Sequence, residues 1–330
     1  MPVILTEKLT KDYLTGFWTK RPKRSLDSLD LEVQENEVFG FLGPNGAGKT
    51  TTLKLLMNLV FPTSGKASIL GRPVDDTQMH REIGFLPEQP YFYDYLTAGE
   101  ALGYYARLFG ITGRAVVDRF LERVGLPEAR DTQLRKFSKG MLQRFGLAQA
   151  IVHDPRVVFL DEPMSGLDPV GRREVRDLIL ELKKEGRTVF FSTHILPDAE
   201  TLCDRVAVLA RGKLQGVGSV EEIFARHVQG VEIVFEMSSE MSTGGEPPTN
   251  VGARLTRTGN RYRVEVGVEQ VYDTFDQLRK IGARVVACNE IRPTLEEYFM
   301  KLVGDADARA SAQANTPANV QAKQAGGRSK

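Results

Sequence analysis

Gly43-Pro44-Asn45-Gly46-Ala47-Gly48-Lys49-Thr50, followed by Thr51, is the stretch that decides the fold. It fits GxxxxGK[ST], a turn whose backbone N–H groups surround phosphate oxygens while the following helix offers its positive N-terminal end. An ordinary glycine turn before a helix is the competing reading, and the flanks decide against it. Val38, Phe39, Phe41 and Leu42 form a short apolar run before the glycines, and Leu53, Leu56, Met57 and Val60 follow at helical spacing. A buried strand therefore feeds an amphipathic helix. Side chains at the glycines would block the approach of backbone to phosphate, and part of the loop needs positive φ. Charge assigns the rest: Lys49 reaches the β- and γ-phosphates, and Thr50 gives a hydroxyl oxygen to Mg²⁺, a hard cation that prefers oxygen ligands.

Val157-Val158-Phe159-Leu160 is apolar throughout, which suits a central parallel strand buried on both faces, with Asp161 and Glu162 at its end. Open α/β sheets bind ligands beyond the carboxyl ends of their strands, so Asp161 is expected near Mg²⁺ and Glu162 near the attacking water. Taken alone, Asp-Glu after a strand reads equally well as a solvated turn; the upstream loop favours the catalytic reading. Val189 to Ser192 reads as a second buried strand, and His194 lies just past it, where a third group can approach the γ-phosphate. His80, His153 and His227 have no metal-ligand spacing with it, which argues against a zinc site.

Together with Phe137-Ser138-Lys139-Gly140-Met141 before a helix, Ser165-Gly166-Leu167-Asp168, and Thr193-His194, these segments stand in one characteristic order. In that order the chain resembles the ATP-binding cassette (ABC) family over about residues 3–225. The resemblance implies an α/β P-loop NTPase cassette with a helical subdomain that binds and hydrolyses ATP with Mg²⁺. It implies that two copies dimerise head to tail, the signature of one copy, Ser138 and Gly140, completing the ATP site built on the P-loop of the other. A capping serine at a helix start leaves free N–H groups and a positive dipole end for a phosphate, though such a cap also starts ordinary helices. The resemblance further implies that Asp168 signals between the two sites and that Tyr13 stacks on adenine, although a lone aromatic near a chain start is often core.

Two departures narrow the comparison. The family pattern LSGGQ is here Phe137-Ser138-Lys139-Gly140-Met141, with Lys139 for the first glycine and Met141 for the glutamine. In the loop that usually carries a magnesium-sensing glutamine, Glu88 takes that position and Gln89 follows; either can serve. A carboxylate is a competent Mg²⁺ ligand but donates no hydrogen bond when ionised. With the stretch from Pro87 to Thr97, both departures resemble the cassettes of ABC-2 type exporters, which implies a separate integral membrane permease. The rival reading is a soluble ABC ATPase acting on nucleic acid or ribosomes. One compact cassette without a second P-loop speaks against it, and a GTPase would need an Asn-Lys-x-Asp element that is absent.

The 330 residues hold 44 Lys plus Arg against 43 Asp plus Glu, which gives no electrostatic case for nucleic acid as a partner. Two cysteines, Cys203 and Cys288, suit a reducing compartment, and both are expected to be buried or neutral. No run of eighteen apolar residues occurs, so the chain is expected in the cytoplasm, peripheral on the inner face of the cell membrane through the permease. The cassette is expected over residues 1–226, with the helical subdomain at about 90–155. There Thr97 and Glu100 have capping-box spacing, Ala101, Tyr104, Tyr105 and Leu108 form one stripe, and Val117, Phe120, Leu121 and Val124 another. Tyr91, Phe92, Tyr93 and Tyr95 suit a partner helix or the core equally. Lys20-Arg-Pro-Lys-Arg24 is expected as a solvated turn in an early loop.

Beyond the cassette, 227–304 reads as a small α+β domain, with strands at Val231–Phe235, Tyr262–Val266 and Arg284–Ala287 and a helix near Val271–Ile281. Gly244 to Asn250 separates two of its pieces, a closing helix begins at Pro293, and 305–330 has the composition of a disordered tail.

Overall fold

The computed structural model describes residues 2–16, 19–225, 230–237, 254–291, 295–300 and 302–304. The 244–250 separator, the start of the closing helix at Pro293 and the 305–330 tail lie outside them. The chain forms two compact units that part between Val220 and Glu221; the sequence places the change of pattern at 226.

The first unit holds two sheets. Strands β1 (Ile4–Thr15), β2 (Arg21–Val33), β4 (Ser64–Ile69) and β5 (Arg72–Pro73) form an antiparallel sheet in the order β2-β1-β4-β5. The second has six strands, β3 (Val38–Leu42), β6 (Ile83–Leu86), β7 (Val157–Asp161), β8 (Thr188–Thr193), β9 (Arg205–Ala210) and β10 (Lys213–Ser219). Their order is β10-β9-β3-β8-β7-β6, parallel except for the β9–β10 pair. Every residue of β3, β7 and β8 is buried, which is why these strands read as continuous apolar runs rather than alternating ones. Phe190 of β8 anchors the layer, with the rings of Phe39, Phe41 and Phe159 at 5.5, 5.4 and 5.6 Å. Each such ring removed from water stabilises the fold by about 1.5–3 kcal/mol. Gly40 in β3 has no room for a side chain: a Cβ there would lie 2.6 Å from Cys203 Sγ.

Helix α1 (Lys49–Leu56) packs against β2, β4 and β7, so one core serves both sheets. It is shorter than the apolar spacing suggests, and Val60 lies beyond it. Asn58 adopts a left-handed φ of 53°, and two backbone bonds, Asn58 N–H to Leu55 O and Leu59 N–H to Lys54 O, close the end. Asparagine here takes the place glycine usually has in this C-terminal motif.

The helical portion contains α2 (Ala98–Leu108), α3 (Arg114–Arg123) and α4 (Lys139–Ile151). The capping box forms: the Thr97 hydroxyl accepts from Glu100 N–H, and the Glu100 carboxylate accepts from Thr97 N–H at 2.9 Å. Val117, Phe120, Leu121 and Val124 are buried as expected. The α2 stripe is displaced. Its buried face is Ala98, Ala101, Leu102 and Ala106, while Tyr104 and Leu108 are exposed, because close packing of α2 against α3 and α4 takes the small residues. The 91–95 aromatics divide: Phe92 meets Phe145 edge-on in the core, and Tyr91, Tyr93 and Tyr95 are exposed.

The basic run is strand, not loop. Arg21 to Arg24 pair with β1, and the Arg24 guanidinium holds both Asp12 oxygens, at 2.9 and 3.1 Å. An edge strand tolerates both these charges and Pro22. Helices α5 (Pro169–Lys184), with Val175, Leu178, Ile179 and Leu182 buried, and α6 (Leu196–Leu202) complete the unit. Helix α7 (Val220–Ala225) leads out of it.

The second unit is an antiparallel sheet of β11 (Gly230–Glu236), β12 (Arg254–Thr258), β13 (Arg261–Val266) and β14 (Arg284–Ile291), ordered β12-β13-β11-β14, with helix α8 (Val271–Lys280). Alternation puts Ile233, Phe235, Tyr262 and Val264 in one core with Leu278. Strand β12 is absent from the sequence expectations, yet Gly259-Asn260 between Thr258 and Arg261 is a hairpin signal. Cys203 is buried and Cys288 is exposed on β14.

Candidate functional site

The loop between β3 and α1 lies at the carboxyl end of the six-stranded sheet and borders a cleft of about 490 Å³. Pro44, Asn45, Gly46, Gly48, Lys49, Thr50 and Thr51 line it, facing Glu88, Glu162, Ser165 and His194. The parallel register explains the convergence. β3 and β7 both border β8, so the loop after β3, the carboxylates after β7 and the histidine after β8 emerge at one edge.

Two loop glycines answer to the protein itself: a Cβ on Gly43 would lie 2.5 Å from the Leu209 carbonyl oxygen, and one on Gly48 would lie 2.6 Å from that of Ser25. Gly46 is different, with open space around it and a φ of +79°. Ala47 is buried behind the loop. Lys49 is also buried, donating to Gly43 O at 2.6 Å and lying 3.4 Å from Glu162 Oε1. Thr51 shares a hydroxyl hydrogen bond of 2.9 Å with Ser25 on β2.

Asp161 is buried at the end of β7 and accepts from the Ser192 hydroxyl at 2.5 Å. Glu162 follows with φ +51°, a left-handed conformation that costs a non-glycine residue about 1–3 kcal/mol and is held by its N–H bond to Ser192 O. Its Oε2 lies 2.9 Å from His194 Nδ1. An ionised carboxylate only accepts, so Nδ1 carries the proton and Nε2 is left for another partner. The Glu162 carboxylate thus stands between the Lys49 ammonium and the His194 ring.

The site fits a nucleotide phosphate with a hard cation. A glycine loop before a helix, a buried lysine, and the oxygen donors of Thr50 and Glu88 are the groups such a ligand requires, while Asp161, buried at the end of β7, does not itself line the cleft. Among the described residues no three or more His, Cys, Asp or Glu stand together as a metal cage. Glu88 lines the cleft and Gln89 does not. Tyr13, half-buried under the Lys11 ammonium, does not line it either.

Ser138, Gly140 and Asp168 are grouped together outside the cleft. Ser138 caps α4 by accepting from Met141 N–H, Asp168 caps α5 by accepting from Gly171 N–H at 2.8 Å, and Leu167 Cδ2 comes within 3.5 Å of a Cβ built on Gly140. Sequence reasoning missed the Asp168 cap and two polar supports, Ser25 and Ser192. A serine inside the buried Phe190-Phe191-Ser192-Thr193 run was the available signal for the second. Outside the cleft, burial pushes the Asp198 carboxyl on α6 upward, against the pull of Arg172 and Arg176, and burial holds the Cys203 thiol well above its ordinary value.

Comparison with known proteins agrees with this geometry. A family model for ABC transporters matches residues 26–165. An uncharacterized ABC transporter ATP-binding protein of Synechocystis is 45% identical over 306 residues, covering 91% of this chain and 84% of that protein. The bacitracin transport ATP-binding protein BcrA of Bacillus licheniformis is 36% identical over 315 residues, 92% and 97% of the two chains. Among solved structures, a dimeric post-hydrolysis state of the ATP-binding cassette MJ0796 with ADP and Pi aligns with TM-score 0.61 at 25% identity, covering 66% of this chain and 98% of that one.

Proposed function

Since the chain belongs to the ABC transporter family of ATP-binding proteins, as the 45% identity over 91% of its length shows, we propose that it powers a separate membrane permease of the ABC-2 exporter kind by ATP-dependent closure of a head-to-tail dimer. Binding and hydrolysis of ATP are the family's activity and this chain's. The finer reading is carried by one observation: Lys49, Glu162 and His194 converge on the P-loop cleft, while Ser138, Gly140 and Asp168 form a second group outside it. Two half-sites on one chain suit a pair of chains. Likeness to the bacitracin transport protein over nearly its whole length supports an exporter. No helix among the described residues is long and apolar enough to cross a membrane, so the path for cargo would belong to another polypeptide.

In this mechanism the P-loop amides and Lys49 hold the β- and γ-phosphates. Thr50, Asp161 and Glu88 would hold Mg²⁺, which when bound offsets phosphate charge. Glu162 accepts a proton from the attacking water; His194 orients that carboxylate by donating from Nδ1, and its ring stands beside the terminal phosphate. Ser138 and the free amides at the start of α4 seal the nucleotide of the opposite copy.

The test is Glu162→Gln with MgATP, followed by sedimentation and phosphate release. A nucleotide-bound dimer with turnover nearly abolished is expected. Full turnover would remove Glu162 from the base role, and a monomer saturated with MgATP would remove dimer closure. Co-purification from detergent-solubilised membranes separates the partners: a polytopic protein fits the transport reading, whereas ribosomes or DNA would favour a soluble ATPase.

A further inference from the structure

Strands β1 and β2 run on past the sheet they belong to. Pairing of β1 with β4 ends at Thr10, so from Lys11 to Thr15 it is held by β2 alone, with Tyr13 opposite Lys23, Leu14 opposite Pro22 and Thr15 opposite Arg21. A two-stranded ribbon is marginal by itself. The 59–63 loop supports this one: Thr63 N–H donates to Thr10 O at 2.8 Å, Asp12 N–H to the Thr63 hydroxyl at 2.9 Å, and Lys11 Nζ to Phe61 O at 2.6 Å.

The charges on this ribbon have no use in the site already described. Residues 11–24 carry five cations against one acid, in a chain whose formal net charge is +1, and that acid, Asp12, is held by Arg24. Lys20, Arg21 and Lys23 are exposed, and their side chains make no hydrogen bond or ion pair among the described residues. Large apolar side chains stand in water beside them: Leu14 is 68% exposed and Phe61 71%. Cations alone would suit any polyanion. Cations interleaved with exposed apolar groups suit the headgroup layer of an anionic bilayer, where the charges meet phosphates and the apolar side chains leave water.

We propose that the β1–β2 ribbon, with Phe61 at its base, is a docking surface for an anionic membrane. By strand alternation Leu14 and Pro22 share one face of the ribbon and Arg21 and Lys23 the other, so a ribbon entering end-on offers apolar and cationic groups to the headgroup layer together. A nucleic-acid backbone would take the cations and leave Leu14 and Phe61 in water. The proposal takes from the preceding subsection only that the chain works beside a membrane; it needs neither the dimer nor the permease.

The experiment uses the full chain without nucleotide, and vesicles of phosphatidylcholine alone or mixed with phosphatidylglycerol, at low and high salt. Flotation measures binding, and the emission of Trp18, the chain's one tryptophan, reports on the segment between the two strands. Binding to the anionic vesicles alone is expected, weakened by salt and accompanied by a blue shift. A cation near an anionic surface is worth about 1 kcal/mol, or about fivefold in partition, so Lys20→Gln, Arg21→Gln and Lys23→Gln combined should weaken binding about a hundredfold. Phe61→Ser should weaken it about tenfold with the salt dependence unchanged. The triple variant should keep the parent's melting temperature and its ATPase activity without membranes, which excludes misfolding as the cause. A parent that does not bind anionic vesicles at low salt, a triple variant that binds them as tightly as the parent, or tighter binding of a DNA duplex than of the vesicles at the same salt overturns the proposal. Each of these results is read without regard to how Glu162→Gln behaves, so this proposal and the dimer reading fail separately.

Discussion

Ser192→Ala removes a single oxygen, yet it tests how the carboxylate pair is held. Asp161 and Ser192 are register partners on β7 and β8, both almost wholly buried, and the serine hydroxyl donates to Asp161 Oδ1 at 2.5 Å. Glu162 N–H keeps its bond of 3.1 Å to the Ser192 carbonyl in the variant and loses only the longer one, 3.3 Å, to the hydroxyl. No cavity larger than that oxygen opens. A hydrogen bond to a charged group is worth about 1.5–3 kcal/mol, and its loss leaves a buried carboxylate one donor short. At about 2–4 °C per kcal/mol for a unit of this size, melting should fall by roughly 3–12 °C. An Asp161 free to turn also serves Mg²⁺ less well, so half-maximal ATPase should require severalfold more Mg²⁺, while nucleotide binding without metal is retained. Calorimetry and a Mg²⁺ titration of phosphate release measure both. A melting point within about 1 °C of the parent, with the same Mg²⁺ dependence, would refute the claim that this hydroxyl fixes Asp161.

Three further outcomes follow from packing, titration and capping. Gly40→Ala drives a Cβ to 2.6 Å from Cys203 Sγ and 3.1 Å from Val206 Cγ1, so it should cost about 1–3 kcal/mol by urea unfolding; adding Cys203→Ala should recover most of that, and an additive double variant would contradict the contact. His153 stacks on Phe109 at 3.9 Å, and burial holds its imidazole below 6.5. The unfolded chain therefore takes up the proton first, and stability should fall as pH drops below 6.5 towards the lower folded value, while staying flat above; His153→Gln should remove this component of the slope in urea midpoints taken across that range. Thr97→Ala deletes one side of the capping box and should cost about 1 kcal/mol, with faster amide exchange in the first turn of α2 and little change at the cleft.

The strand, loop and helix around the P-loop were legible because each is specified within about ten neighbouring residues, by periodicity and by glycine. The same holds for the caps at Thr97 and Ser138. What failed was decided between distant segments. Arg21 to Arg24 look like a solvated turn until Asp12 and the edge of a sheet are supplied, and Tyr104 and Leu108 look like core until Ala101, Leu102 and Ala106 are found to pack closer. Ser192 and Asp161 are 31 residues apart in sequence and become neighbours only through strand register. Helix α1 ends early for a local reason that was readable: Asn58 accepts a left-handed backbone that few other side chains do.

The crowding around Gly43 and Gly48 changes what damage to the phosphate loop would mean. Carbonyl oxygens from β9 and β2 already occupy the places their side chains would take, whether or not any ligand is present. Alanine at either position would therefore harm the bare polypeptide during assembly, whereas at Gly46, where space is open, the penalty is one of backbone conformation alone. A binding screen that scores all three as lost grip on nucleotide would be mistaking two scaffold defects for recognition defects.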